Sequence, residues 1–226
     1  MRFGAGFVVL LLAAGASSAS AQYRKFEIIP EVGYTWGGGR SFDAQTVKAG
    51  LIPGGKFVLD NSMAYGATFS MESWSGSFFT LTYVRQDSNL GIKWNTTPSA
   101  VVVPNPYKKG GFATNQFIIG GRREFAPDAA QLRPYLGAGF GFNVLSPNFG
   151  NASSSTDFLL SLNGGLKYMF GTEKRYGLMA DFRAAWTYVP SGDWTVYCDY
   201  WYGCNTFQTS VAVAQTTLKG GLVIKF

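Results

Sequence analysis

The chain has 226 residues and a formal net charge of +6, with 29 glycines, 16% aromatic residues and only 14% charged residues, against about 25% charged in an ordinary soluble domain. It has no histidine, which excludes Ser-His-Asp triads, histidine acid–base catalysis and His-ligated zinc together. The basic excess is spread thinly, without the Lys/Arg density of a nucleic-acid interface, and the length suits one domain.

Residues 1–21 read as a cleaved secretory leader. Arg2 supplies the positive start, Phe7–Ala14 is an apolar run too short to span a bilayer as a helix, and Ala19-Ser20-Ala21 has the form of a processing site. No lipid-attachment cysteine follows it. Residues 22–226 are then the exported domain, and they contain no run of about 18 consecutive apolar residues that would form a membrane helix.

Eight segments instead alternate with period two, each with one apolar face. The first sets Phe26, Ile28, Pro30, Val32, Tyr34 and Trp36 against Glu27, Ile29, Glu31, Gly33 and Thr35, with Pro30 read as a bulge. The second sets Phe57, Leu59, Met63, Tyr65, Ala67 and Phe69 against Asp60, Ser62, Ala64, Gly66 and Thr68. In the third and fourth, Phe79, Leu81 and Tyr83 oppose Thr80, Thr82 and Gln86, and Phe117, Ile119 and Phe125 oppose Thr114, Gln116, Arg122 and Glu124.

The fifth sets Leu132, Pro134, Leu136, Ala138, Phe140 and Phe142 against Arg133, three glycines and Asn143. In the sixth, Phe158, Leu160, Leu162, Leu166, Tyr168 and Phe170 oppose Ser161, Asn163, Gly165 and Lys167. In the seventh, Leu178, Ala180, Phe182, Trp186 and Tyr188 oppose Asp181, Arg183 and Thr187. The last, running from about Ser210, sets Leu218, Gly220, Leu222, Ile224 and Phe226 against Thr217, Lys219, Gly221, Val223 and Lys225.

Connector lengths alternate. The segments 37–55, 87–111, 146–156 and 190–209 are long, whereas 72–77, 126–131 and 171–175 are short. Phe26, Phe125, Phe170 and Phe226 fall near the short-turn ends; Tyr34, Trp36, Phe57, Tyr83, Phe142 and Tyr188 fall near the long-loop ends. Two aromatic girdles and sorted loops predict an all-β fold: an eight-stranded antiparallel transmembrane β-barrel with short periplasmic turns and long extracellular loops. A lipocalin-like soluble barrel is the alternative. It would bury the apolar set, but these apolar sets are too aromatic and the alternate sets too charged for that.

Arg133-Pro134-Tyr135-Leu136-Gly137-Ala138-Gly139-Phe140-Gly141 resembles a strand of the small OmpA-like and opacity-type outer-membrane barrels, and Gly220–Phe226 resembles their closing strand. The resemblance implies that Leu222, Ile224 and Phe226 form an insertion signal read by the outer-membrane insertion machinery. It also implies outer-membrane lipid and lipopolysaccharide as surroundings, and a monomer. With no peptidoglycan-binding domain after the barrel, cell-wall tethering is not carried over. Enzymes on such barrels use a His-Ser type of site, so the absence of histidine argues against an enzyme, and no cofactor or metal is expected.

Glu27, Glu31, Asp60, Arg122, Glu124, Arg133, Lys167, Asp181, Arg183, Lys219 and Lys225 share the inward parity. Eight strands enclose only enough space for side chains to fill, and buried charges must pair. The expectation is a packed network, with a narrow conduit for ions or small apolar molecules as the alternative. Glu27 and Glu31 with Arg183 or Lys219 form the expected seam cluster.

The spacing of Gly137, Gly139 and Gly141 fits no phosphate loop, and their expected role is to make room for lumen side chains such as Arg133 or Tyr135. Cys198 and Cys204 are expected to form a disulfide in the last external loop. That staple either protects the loop or pre-organises Trp194, Tyr197, Tyr200, Trp201 and Tyr202 as binding anchors for an external ligand or surface partner. The expected work is structural and surface-exposed, with channel and adhesin as alternatives.

Overall fold

The computed structural model describes residues 25–42, 45–47, 50–52, 55–94, 107–126, 128–148, 154–199 and 203–226. Twelve strands and no helix are present among them. In chain order they are β1 (Phe26–Trp36), β2 (Gly39–Phe42), β3 (Gln45–Val47), β4 (Gly50–Ile52), β5 (Gly55–Leu59), β6 (Ser62–Trp74), β7 (Ser77–Trp94), β8 (Tyr107–Glu124), β9 (Leu132–Asn148), β10 (Ser155–Phe170), β11 (Tyr176–Asp199) and β12 (Gly203–Lys225).

Eight of them form the wall, in the order β7-β6-β1-β12-β11-β10-β9-β8, and β7 pairs with β8 to close it. Every pairing is antiparallel. Closure leaves each wall strand with two neighbours, which is the only way a sheet can satisfy its backbone where no water is available.

The alternation of apolar and polar residues sets which side of the wall each side chain takes. Ile28, Val32, Leu136, Phe140, Leu160, Leu162, Leu178 and Phe182 stand on the outer surface, while Glu27, Glu31, Arg133, Lys167, Asp181 and Lys219 are buried inside. This is the reverse of a soluble barrel. The aromatic bands face outward too. Tyr83, Phe117, Phe142, Phe158 and Tyr188 are successive register partners across β7 to β11, and the Tyr83–Phe117 and Phe117–Phe142 rings lie 5.1 Å apart. On β1, Phe26 and Trp36 are ten steps apart. At about 3.3 Å per step and a tilt of about 40°, that is about 25 Å along the barrel axis, the height of a bilayer's apolar band.

Three expectations are corrected by the register. Pro30 makes no bulge: β1 keeps one phase against β6 throughout, and its partners on β12 run from Lys225 to Thr216 in a single phase. Ile29 and Pro30 are merely missing from the β1–β12 ladder, because proline has no N–H to donate.

The second segment is two strands, β5 and β6, separated by Asp60 and Asn61. Leu59 faces Leu90 on β7 while Ala64 faces Gln86, a slip of one residue. Such a slip exchanges the two faces, so Leu59 lies buried inside with the even-numbered inward residues of β6 rather than outside with Met63.

The long connectors are in large part wall. β7 and β8 stay paired out to Ile92 and Tyr107, and β11 and β12 stay paired out to Asp199 and Gly203. The segment 190–209, read as a loop, is therefore mostly hairpin.

The opposite end is closed by tight turns. Ser75 and Gly76 join β6 to β7, with Gly76 in the left-handed region at φ 70°, where glycine carries no steric penalty. The leader, residues 1–21, lies outside the described residues.

Candidate functional site in the barrel lumen

The lumen is filled in levels. Nearest the tight turns, Glu27 of β1, Arg122 and Glu124 of β8, Arg133 of β9 and Lys167 of β10 converge. The Lys167 ammonium lies 2.8 and 2.9 Å from the two Glu27 carboxylate oxygens and also pairs with Glu124. Arg122 pairs with Glu27 and stands 3.4 Å from Glu124, and Arg133 stands 3.6 Å from Glu124. Glu27 and Lys167 are wholly buried. The Phe78 ring, 4.8 Å from the Arg122 guanidinium carbon and 5.2 Å from the Lys167 nitrogen, adds cation–π contacts.

One level up, Lys219 of β12 pairs with Glu31 of β1 and stands 3.5 Å from Asp181 of β11. The Tyr135 hydroxyl and the Asn163 amide donate to Asp181 at 2.8 and 2.9 Å, and the Thr68 hydroxyl donates to Glu31. Ile29, Met169, Met179 and Val223 pack with Tyr135 at the same end, and such apolar surroundings strengthen a neighbouring ion pair.

Above the charges lies a band of amides and hydroxyls. Gln215 donates to Gln86 at 3.0 Å and accepts from Gln116 at 3.4 Å, while Asn143 donates to Thr187 at 3.1 Å. Leu59, Leu90, Phe112 and Leu145 form an apolar cluster above them, with Val213 packed against it. The lumen is thus ionic near the turns, amide-lined in its middle and apolar at its far end.

The expected seam cluster is brought together only in part. Glu31 meets Lys219, but Glu27 turns across the lumen to Arg122 and Lys167, and Arg183 pairs with neither glutamate. Glu27 and Glu31 are four residues apart on β1, so they occupy different levels and meet different neighbours. Asp60 sits half-buried in the break between β5 and β6, and Lys225 is half-buried at the turn-end rim; neither joins the ion pairs.

Tyr135, expected as a lumen side chain, is buried there; Thr68, Asn163, Gln86, Gln116 and Gln215 complete the filling and were not singled out in advance, although their inward parity was readable. Gly137 and Gly139 do make room for inward side chains, though not for the two named in advance. A Cβ on Gly137 would meet Asn163 at 2.6 Å and one on Gly139 would meet Ile118 at 2.7 Å. Gly165 of β10 is the glycine that makes room for Tyr135, whose hydroxyl would lie 2.7 Å from its Cβ.

In the β11–β12 hairpin the backbone register sets Cys198 opposite Cys204 and Trp194 opposite Phe207. Tyr200, Trp201 and Tyr202 lie outside the described residues, as do the side chains of Trp194, Tyr197, Cys198 and Cys204.

At the turn end, Asp128 ties three elements. Its carboxylate takes the Lys25 ammonium and stands 3.6 Å from Arg133, while its backbone carbonyl accepts from Arg133 and Lys174. The hydrogen bond from Lys25 holds the Asp128 carboxyl below its ordinary value, against a smaller opposing effect of burial. A depressed carboxyl stabilises the fold above its unfolded value of about 4 and loses that contribution as pH falls through the lower folded value. The stability advantage of wild type over Asp128→Asn is therefore expected to be constant from neutral pH to about 5 and to shrink below about 4. Unfolding midpoints measured across that range check this, and an advantage that does not change with pH would refute it.

No protein-family model and no curated protein sequence matches this chain. Solved structures do match. The outer membrane protein OprG from Pseudomonas aeruginosa aligns at 13% identity and a TM-score of 0.65, covering 90% of this chain and 96% of its own. Outer membrane protein AlkL, solved by solid-state NMR in DMPC lipid bilayers, aligns at 15% identity and a TM-score of 0.55, covering 93% and 94%. Neisserial surface protein A aligns at 16% identity and a TM-score of 0.52, covering 89% and 97%. The fold is that of the small eight-stranded outer-membrane barrels.

Proposed function

We propose that this chain is an integral outer-membrane protein with a sealed lumen, working at its lipid-facing and outward surfaces to stabilise the membrane and present its long hairpins. The observation that carries this reading is the filled interior: two levels of buried ion pairs beneath an amide band and an apolar cluster. The apolar outer belt and the fold shared with AlkL, a structure determined in lipid bilayers, support residence in a bilayer. Its immediate surroundings are then outer-membrane lipid and lipopolysaccharide, reached through the insertion machinery, and it stands there as a non-enzymatic monomer that binds no nucleic acid.

The test is single-channel recording of the purified barrel in planar bilayers, with folding verified by its heat-dependent shift on a gel. A folded, silent barrel is the expected result. Stable, reproducible conductance steps would overturn it and establish the narrow conduit.

Surface attachment through the β11–β12 hairpin is the second reading, favoured by the register that sets Cys198 against Cys204. Directly opposed residues of an antiparallel pair have Cα atoms about 4.5–5.5 Å apart, within the span of a disulfide. If whole-cell attachment is the same with and without Trp201, this reading fails.

A further inference from the structure

The charges of the outward half are sorted between the two sides of the barrel. Residues 37–60 and 88–115, which include β2, β5 and the outward ends of β7 and β8, carry Arg40, Lys48, Lys56, Lys93, Lys108 and Lys109 against Asp43 and Asp60. Lys48 and Asp43 lie outside the described residues. Residues 140–160 and 189–216, which include the outward ends of β9 to β12, carry no Lys or Arg, only Asp157, Asp193 and Asp199. The basic excess, thin along the sequence, is therefore gathered on one side of the folded wall.

The register brings three of these lysines together. Leu59 and Leu90 are partners on the inner face. Lys56 and Lys93, partners three residues further out, therefore stand on the outer face, and both are exposed. Directly opposed residues have Cα atoms about 4.5–5.5 Å apart. On β8 the backbone register sets Lys108 opposite Gly91, a diagonal neighbour of Lys93 at about 7–8 Å.

Like charges directly opposed destabilise a strand pair, and the neighbouring strands offer little to offset them. The sequence has no Asp or Glu between Asp87 and Glu124. Asp87 is six residues from Lys93 and already accepts from Arg85 at 2.9 Å and from the Tyr65 hydroxyl at 3.2 Å. Asp60 is half-buried in the break between β5 and β6.

Their position indicates what these lysines face. Lys93 lies ten residues beyond Tyr83 of the aromatic row, about 25 Å further along the axis, so it is clear of the hydrocarbon. It stands on the same outer face as the apolar belt, at the side of the wall. Beside an outer-membrane wall at that height lies the sugar region of lipopolysaccharide, which carries phosphate and carboxylate groups.

We propose that Lys56, Lys93 and Lys108 form a binding site for the anionic sugar region of lipopolysaccharide. One side of the barrel then holds lipopolysaccharide by charge, and the β9–β12 side meets it without cations. This inference rests on the reading of the chain as an outer-membrane protein.

The test titrates fluorescently labelled lipopolysaccharide into the full barrel, folded in nonionic detergent micelles. Binding that weakens with added salt is expected. Lys56→Gln, Lys93→Gln and Lys108→Gln together should weaken it about a hundredfold, from about fivefold for each lysine at an anionic surface. The triple variant relieves opposed like charges on an exposed face, so it should keep its fold, as its heat-dependent gel shift verifies. Arg175→Gln, at the turn end, should leave binding unchanged. Full binding by the triple variant would overturn the inference. So would heparin or phosphatidylglycerol displacing the label at a lower concentration than unlabelled lipopolysaccharide. Insertion into lipid vesicles tests the membrane reading separately. A barrel that does not insert sinks both readings, whereas one that inserts, with the triple variant binding as wild type does, sinks only this one.

Discussion

Replacing Glu27 by alanine is expected to cost the barrel about 3–5 kcal/mol, the range for removing one partner of a buried ion pair. Glu27 accepts from both Lys167 and Arg122 in a site with no exposure. Without it the two cations share Glu124, which Arg133 also approaches at 3.6 Å. The loss comes mainly from the cations left behind. Glu27→Gln, which keeps the shape and removes the charge, should therefore lose nearly as much. The double variant Glu27→Leu, Lys167→Met should recover a large part, since apolar groups of similar volume often replace a buried pair without net cost. Equilibrium unfolding in lipid vesicles measures all three. A loss below about 1 kcal/mol, typical of an exposed pair, would show that water reaches this level and that the lumen is not sealed at the turn end.

Leu162→Arg is expected to destabilise the barrel by about 2–4 kcal/mol in a bilayer, the cost of a lipid-facing arginine at the midplane. Leu162 is 54% exposed in mid-strand, between Ala138 of β9 and Ala184 of β11. Tyr188→Arg, at the aromatic row toward the long hairpins, should cost only about 0–1 kcal/mol for the charge itself. The contrast between the two separates depth in hydrocarbon from mere surface exposure. Equal costs at both positions would remove the argument that the apolar belt faces lipid.

Both substitutions probe one design feature from opposite sides of the wall. A closed eight-stranded sheet leaves too little interior for an apolar core with an aqueous channel, so the interior is filled with whatever the inward parity supplies. Charge at the turn end holds β1, β8, β9, β10, β11 and β12 together across the lumen, while the outer face needs no partner but lipid. Arg183, beside Asp181 on the same face of β11, is a buried cation that makes no ion pair within 4 Å among the described residues.

Much of this was legible in the sequence because strand alternation is a local property. Side chains two residues apart share a face whatever the strand pairs with. Glu27, Glu31, Lys167, Asp181 and Lys219 could thus be assigned to the interior before any neighbour was known, and Leu160, Leu162 and Phe182 to the exterior. The misplacement of Leu59 has the same origin. A one-residue slip at Asp60 and Asn61 reverses the faces, and with Phe57 and Leu59 before it and Met63 and Tyr65 after it, the apolar pattern runs on without marking the reversal. The length of the wall was also hidden. Beyond the apolar band neither face has to be apolar, so β7, β8, β11 and β12 continue through residues that read as loop.

The sequence by itself determined the faces of the strands wherever one register runs through a segment, and the count of eight and the short turns followed from the spacing of those segments along the chain. The tertiary structure alone decided who meets whom: Glu27 with Lys167, 140 residues away, and Glu31 with Lys219, 188 residues away. Those meetings depend on the stagger with which eight strands close into a ring, and no strand carries that stagger on its own.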